Sequence, residues 1–163
     1  MKKVMYLLTA ILLGGMMLAS CGKDDKTSES EPTPEPTPTT AQVAYIVTNT
    51  NGHLVMSPCF KMNVTYIDAN GQEVTENGVE LPWIKILEIT APFHAKMVGQ
   101  MVYNEDELPE TVTYGRMRGL GYYDNGSLDV PFEGNFSQGS KESYINLFAQ
   151  HPDRLQFTAE RDF

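Results

Sequence analysis

Short runs of alternating apolar and polar residues, separated by turn sequences, dominate the chain from residue 41 onward. In the clearest run, the even-numbered residues from Phe60 to Tyr66 are apolar and the odd-numbered ones between them are polar. The run ends at residues 68–71 (DANG), where Asn-Gly favours a type I′ turn, because both central residues of that turn need positive φ. Further strands are expected near residues 45–47, 72–79, 84–87, 95–103, 111–114, 120–123 and 128–132. This spacing predicts a β-sandwich or barrel.

One segment follows a helical period instead. Tyr144, Leu147 and Phe148 recur at helical spacing, Ser140 suits an N-cap, and Pro152 follows the end of the pattern. We expect a short helix over residues 140–150 and a last strand over residues 155–159.

The lone tryptophan begins the most apolar strand. Trp83 follows Pro82 and precedes Ile84, Ile86 and Leu87, a run that is expected to be more fully buried than the others. We therefore expect Trp83 to plug one end of the core.

The first twenty residues have the pattern of an export signal. Lys2 and Lys3 precede an apolar stretch over residues 4–17, which is too short to span a bilayer. Residues 18–21 (LASC) resemble the lipobox of bacterial lipoproteins. The resemblance implies that residues 1–20 are removed and that Cys21 carries the lipid that attaches the chain to a membrane.

Residues 21–40 are predicted to be a linker. Gly22 after the cysteine resembles the sorting pattern for the outer membrane, and Lys23-Asp24-Asp25 resembles the surface-export signal of Bacteroidetes lipoproteins, although a charged spacer would look the same. The following Pro, Thr and Glu residues favour an extended polyproline-like stalk, which could hold a domain up to roughly 60 Å from the lipid surface. These features predict a lipoprotein exposed at the cell surface.

The charge and the cysteine content of the chain limit the partners and the covalent links of the remaining domain, residues 41–163. The chain of 163 residues has a formal net charge of −9, and removal of Lys2 and Lys3 makes it more acidic. An acidic surface with scattered cations repels a phosphate backbone, which excludes nucleic acid as a partner. Cys59 is the only cysteine after Cys21, so the domain has no internal disulfide and Cys59 is expected to be a small core residue.

A family resemblance supports the fold. The run of residues 64–71 (VTYIDANG), the strand of Trp83, the junction at residues 92–96 (PFHAK) and the end segment from Gly139 resemble a group of small Bacteroidetes lipoproteins. The resemblance implies an immunoglobulin-like antiparallel β-sandwich with one short helix before the last strand. The group has no established activity, so no site residues are implied.

Metal and catalytic sites are weakly supported. Met97 and Met101 suit copper, but on a strand His94 would point to the opposite face, and core packing explains the methionines better. The acidic residues 105–107 and Glu110 lack the spacing of a calcium loop. The many acidic residues leave a pair of carboxylates for glycoside hydrolysis as an alternative. The sequence contains no motif for a serine nucleophile, a zinc site or a phosphate-binding loop. We expect no enzyme activity, cofactor or metal.

Two adjacent tyrosines are the remaining candidates for ligand contact. Neighbouring residues on a strand face opposite ways, so one of Tyr122 and Tyr123 is expected in the core and the other exposed, where its ring can stack on a sugar. The first hypothesis is a non-enzymatic interaction or structural domain of the cell envelope whose ligand the sequence does not identify, with a glycan or an envelope protein as the candidate partners. The alternative is a glycan-binding surface lipoprotein. The pattern does not specify the oligomeric state.

Overall fold

The strands assemble into two facing antiparallel sheets. The computed structural model describes residues 39–163. The strands are β1 (Thr40–Thr48), β2 (Lys61–Ile67), β3 (Glu73–Val79), β4 (Trp83–Thr90), β5 (His94–Val102), β6 (Thr111–Gly115), β7 (Met117–Asp124), β8 (Ser127–Asp129), β9 (Phe132–Glu133), β10 (Phe136–Ser140) and β11 (Gln156–Asp162), with helix α1 at Lys141–Gln150. The first sheet has the order β4-β1-β7-β8, with β9 also paired to β7, and the second has the order β11-β5-β2-β3. Strands β6 and β10 form a separate antiparallel pair.

The core lies between the two sheets and follows their period of two. Val43, Tyr45 and Val47 of β1 face the second sheet, whose β2 contributes Met62, Val64 and Tyr66. The rings of Tyr45 and Tyr66 lie 5.6 Å apart between centroids, and the Tyr45 hydroxyl donates a hydrogen bond of 2.8 Å to the Ile67 carbonyl. This bond satisfies a phenol that burial would otherwise leave without a partner.

The helix closes one end of the core with aromatic side chains. Ser140 is the N-cap, and its hydroxyl accepts a hydrogen bond from the backbone N–H of Ser143. Tyr144 and Phe148 face inward, and the Phe148 ring lies 4.9 Å from Tyr114 and 6.2 Å from Phe60. The prediction of a mainly β, antiparallel sandwich with one short helix before the last strand is therefore confirmed, with β11 beginning after a 3₁₀ turn at Pro152–Leu155.

The turn after β2 differs from the predicted type. Gly71 has a φ of 76°, but Asn70 does not have a positive φ. The Asp68 carboxylate accepts hydrogen bonds from the backbone N–H groups of Asn70 and Gln72, both at 2.9 Å. The Asp68 N–H donates to the Gln72 carbonyl, which makes a three-residue loop with glycine at its left-handed position. The side chain of Asp68, which the pattern did not weigh, selects this loop.

Strand β4 corrects the expectation of a fully buried run. Ile84 and Ile86 are 51% and 42% exposed, whereas Trp83 and Ile89 are buried. Strand β4 is an edge strand with an inner and an outer face, and its outer isoleucines have no second layer above them among residues 39–163. A run of apolar residues thus belongs here to a half-exposed edge rather than to a buried strand.

The expected strand over residues 128–132 is also divided. Pro131 separates β8 from β9, because proline cannot donate to a ladder. Leu128 and Phe132 are each 44% exposed on the outer face of the first sheet.

A polar cluster joins the two sheets where β3 and β4 form their edges. The Glu76 carboxylate accepts hydrogen bonds from Trp83 Nε1 and from Lys85 Nζ, each at 2.9 Å, and from the Tyr66 hydroxyl at 3.2 Å. The Lys85 ammonium also lies 5.4 Å from the centre of the Tyr66 ring. We call these four residues the edge clamp, since they link β2 and β3 of one sheet to β4 of the other.

Candidate functional site

A fork in the first sheet creates a cleft between β1 and β7 at one end of the sandwich. The ladder between β1 and β7 ends at the pair Val43–Tyr122. Strand β1 nevertheless continues on β4 as far as the pair Thr40–Thr90, and β7 continues on β8 as far as Asp124–Ser127. The two strands therefore diverge, and the space between them is a cleft of about 680 Å³, which we call the fork cleft.

Both tyrosines predicted to contact a ligand line the fork cleft. The lining residues are Thr40, Ala41, Gln42, Glu88, Tyr122, Tyr123, Asp124, Asn125 and Asp129. They come from β1, β4, β7, the turn after β7 and β8. Because the strands are splayed, side chains from both faces of the sheet reach the same space. This is why two neighbouring residues that point opposite ways share one cleft.

The expectation that one tyrosine is in the core is wrong. Tyr122 is 38% exposed and Tyr123 is half-buried, so neither belongs to the buried core. Tyr122 lies on the inner face of the first sheet, opposite Val43, but at the end of the sandwich. There its ring meets the edge of Phe163 at 4.8 Å, and the Arg161 guanidinium lies 5.6 Å from its centre. These contacts hold the ring in place while part of it stays accessible.

Glycines shape the wall of the cleft. Asn125 and Gly126 have φ values of 47° and 82°, which makes the two-residue turn between β7 and β8 a type I′ turn. A Cβ at Gly121 would overlap the Asp129 carbonyl oxygen and the Val130 Cα, so only glycine lets the chain after β8 cross β7 so closely. This close crossing places Asp129 beside Tyr122.

The fork cleft is acidic and rich in hydrogen-bonding groups. Glu88, Asp124 and Asp129 supply carboxylates, and Gln42 and Asn125 supply amides. None of the lining residues is Lys, Arg or His. Gln42 and Glu88 are directly opposite each other on β1 and β4. The arrangement can donate and accept hydrogen bonds beside two aromatic rings, which are the groups that recognise a polyhydroxylated ligand.

The other candidate sites are not assembled. Met97 and Met101 are buried in the core, at 0% and 2% exposure, whereas the exposed His94 ring lies 2.6 Å from the Asp162 carboxylate on the other side of the second sheet. Residues 105–107 form an exposed 3₁₀ turn capped by Asn104. Among residues 39–163, no group of three His, Cys, Asp or Glu side chains is arranged to hold a metal ion.

The remaining sequence candidates are placed as follows. Trp83 is 8% exposed, as expected, and lies outside the fork cleft. Cys59 is a half-buried free thiol packed against the core, and burial raises its pKa. Cys21 and the linker before residue 39 lie outside the described residues.

Sequence reasoning missed most of the cleft and the polar contacts of the edge clamp. Gln42, Glu88 and Asp129 are far apart along the chain, and no spacing rule brings them together. One weak signal was Glu88, a charge within the apolar run from Trp83 to Ile89. Glu76 has no comparable signal, because its neighbours on β3 alternate like those of any exposed edge strand.

No family model and no curated protein matches this chain. Among residues 39–163, no helix has the length and apolar character needed to cross a membrane.

Proposed function

We propose that this protein is a lipid-anchored, non-enzymatic lipoprotein of the cell surface whose sandwich domain binds carbohydrate in the fork cleft. The observation that carries the binding proposal is the convergence of Tyr122 and Tyr123 with carboxylates and amides in one cleft. Sugars present C–H faces that pack on aromatic rings and hydroxyls that bond to carboxylates and amides. The lipobox at Cys21 and the Pro-rich linker support the anchoring proposal.

The shape and lining of the fork cleft suit the binding of a ligand better than a purely structural role of the domain. A purely structural domain has no need of two partly exposed aromatic rings within a concave site. The Tyr122 ring already packs against Phe163 and Arg161, so binding costs it little further side-chain freedom. An extended linker would let such a site work away from its own membrane.

The test of binding is a glycan array followed by calorimetric titration of the best ligand. The full chain should be purified in a polyoxyethylene detergent, because a sugar-headed detergent would compete for the cleft. Binding of at least one oligosaccharide that is abolished by substitutions in the fork cleft supports the proposal. Absence of any carbohydrate binding on a broad array contradicts it.

Tyr123→Ala is expected to weaken carbohydrate binding about tenfold or more, a loss of about 1.4 kcal/mol, because it removes a stacking surface from the cleft. Its melting temperature should change little, since Tyr123 is not part of the buried core. Titration calorimetry and thermal melting measure the two effects. The matched control is Phe132→Ala, which removes an exposed ring from the same face of the sheet but outside the cleft. Equal losses of affinity in both variants would contradict a site at the fork.

Cys21→Ala is expected to release the protein from membranes or to leave it unprocessed, because the thioether-linked lipid is the only strong attachment proposed. Cell fractionation with a high-salt wash measures the membrane-bound share. The control is Cys59→Ala, which changes the other cysteine of the chain and should leave attachment intact. A processed Cys21→Ala protein that stays with the washed membranes would refute the lipid anchor.

A further inference from the structure

We infer that the fork cleft selects a saccharide bearing a protonated amine, such as an oligomer of glucosamine, over neutral and acidic sugars. The inference rests on the proposed carbohydrate binding and names the ligand class within it. It follows from the charge of the cleft lining, which is a separate observation from the presence of the cleft.

Three carboxylates face the cleft from three places in the fold. Glu88 comes from β4, Asp124 from the end of β7 and Asp129 from β8. No lining residue carries a positive charge to neutralise them. A ligand cation in the cleft would therefore be attracted by carboxylates on more than one wall, with no lining cation to compete.

The aromatic lining favours the same kind of ligand. A tyrosine ring attracts a cation to its face through its quadrupole. The Arg161 guanidinium, which does not line the cleft, already occupies such a position 5.6 Å from the centre of Tyr122. Tyr123 is the neighbour of Asp124 in the lining, and within residues 39–163 no lysine or arginine lies over its ring. An ammonium group bound between Tyr123 and the carboxylates would gain both kinds of attraction.

Neutral and acidic sugars fit the lining less well. A hydroxyl at the same position can donate to a carboxylate, but it carries no charge for Glu88, Asp124 and Asp129 to attract. A uronate or a sulfated sugar would add a further negative charge beside three carboxylates, and no cation lies among the lining residues. The order of preference is therefore amine, then hydroxyl or acetamide, then carboxylate.

Four β-1,4-linked tetrasaccharides test the order directly. The tetramers of glucosamine, N-acetylglucosamine and glucose differ at carbon 2 only, as amine, acetamide and hydroxyl. A β-1,4-linked tetramer of glucuronate supplies the opposite charge. The full chain is purified in polyoxyethylene detergent as above. Each tetrasaccharide is then titrated into it at pH 6, and the heat of binding is measured by calorimetry in low and in high salt. The glucosamine tetramer is expected to bind at least tenfold more tightly than its two neutral counterparts, with an advantage that shrinks in high salt.

Variants that remove negative charge test whether the tighter binding of the glucosamine tetramer depends on the carboxylates of the fork cleft. Glu88→Gln with Asp129→Asn should reduce the preference for the amine to less than threefold. The control removes two negative charges from the acidic 3₁₀ turn by Glu105→Gln and Asp106→Asn, and it should keep the preference. Equal loss in both pairs would mean general attraction to an acidic protein and would overturn the inference.

The outcomes separate this inference from the proposed function. Tighter or equal binding of a neutral tetramer overturns the amine preference while carbohydrate binding stands. No binding of the glucosamine tetramer overturns the inference whatever the array shows. Binding of no carbohydrate in either experiment rejects the proposed function as well.

Discussion

Trp83→Ala is expected to lower the melting temperature by about 10–20 °C or to unfold the domain. The Trp83 ring is 8% exposed, lies 5.6 Å from the Tyr66 ring and donates to Glu76 through Nε1. Truncation of a buried tryptophan costs about 3–5 kcal/mol. That is a large share of the roughly 5–15 kcal/mol that holds a domain of this size together.

Two further variants separate the contributions to that loss. Trp83→Phe keeps most of the apolar ring but removes the N–H that bonds to Glu76, so it should cost less than Trp83→Ala. Ile84→Ala changes the next residue of β4, whose side chain is 51% exposed on the other face, and should cost about 1 kcal/mol or less. Thermal melts and denaturant titrations measure all three.

The fluorescence of Trp83 gives a direct measure of its burial. It is the only Trp of the chain, so its fluorescence is expected to be blue-shifted and poorly quenched in the native protein. Trp83 lies outside the fork cleft, so Trp83→Phe should leave carbohydrate affinity unchanged. An unchanged melting curve for Trp83→Ala, together with an easily quenched parent, would show that the ring does not support the core.

The sequence predicted the class of fold because the sandwich depends on local patterns. Alternation between apolar and polar residues from Phe60 to Tyr66 reports directly which face of a strand is buried. The helix over residues 140–150 was likewise visible, because its cap and its periodic aromatics lie within a few residues of one another. Each of these signals is contained in a short window.

The same pattern could not say which faces are covered by a second layer. The run from Trp83 to Ile89 is apolar on both faces, as in a buried strand, yet β4 is an edge whose outer isoleucines are exposed. Edge position depends on the strand order of the sheet, which no window of sequence contains. The error at Ile84 and Ile86 thus has a topological origin.

Of the residues that line the fork cleft, the sequence predicted only Tyr122 and Tyr123. Tyr122 and Tyr123 are adjacent in sequence and aromatic, so they were recognisable as candidates. Their partners Gln42 and Glu88 belong to other strands, and the cleft exists because the β1–β7 ladder ends early. Strand divergence of this kind follows from the packing of the whole sheet.

Glu76→Gln is expected to destabilise the domain by about 1–2 kcal/mol at pH 7 and by progressively less as the solution becomes acidic. The Glu76 carboxylate accepts hydrogen bonds from Trp83, Lys85 and Tyr66, and these bonds are made to a charged group. The amide of Gln presents one acceptor oxygen, so at least one of the three donors would face an N–H₂ group. The side chain of Glu76 is 32% exposed, which places the cost toward the lower end of the range for charged hydrogen bonds.

The pH dependence follows from the lowered pKa of Glu76. The hydrogen bond from Trp83, and after it that from Lys85, holds the pKa of this carboxyl below its ordinary value of 4.5. A group with a lower pKa in the folded state stabilises that state above the unfolded pKa, and the contribution disappears as the pH falls through the folded pKa. The difference in unfolding free energy between parent and Glu76→Gln should therefore be constant above about pH 5.5 and should narrow below about pH 4.5.

Urea unfolding of the two proteins at a series of pH values from 7 to 3 measures this difference. The matched control is Glu73→Gln, an exposed glutamate at the start of the same strand, whose substitution should change stability by about 0.5 kcal/mol or less. A gap between parent and Glu76→Gln that stays constant down to pH 3 would mean that the charge of Glu76 does not hold the edge clamp. The shape of Gln at that position would then account for the whole loss, and the two sheets would be joined at this edge by packing of Trp83 alone.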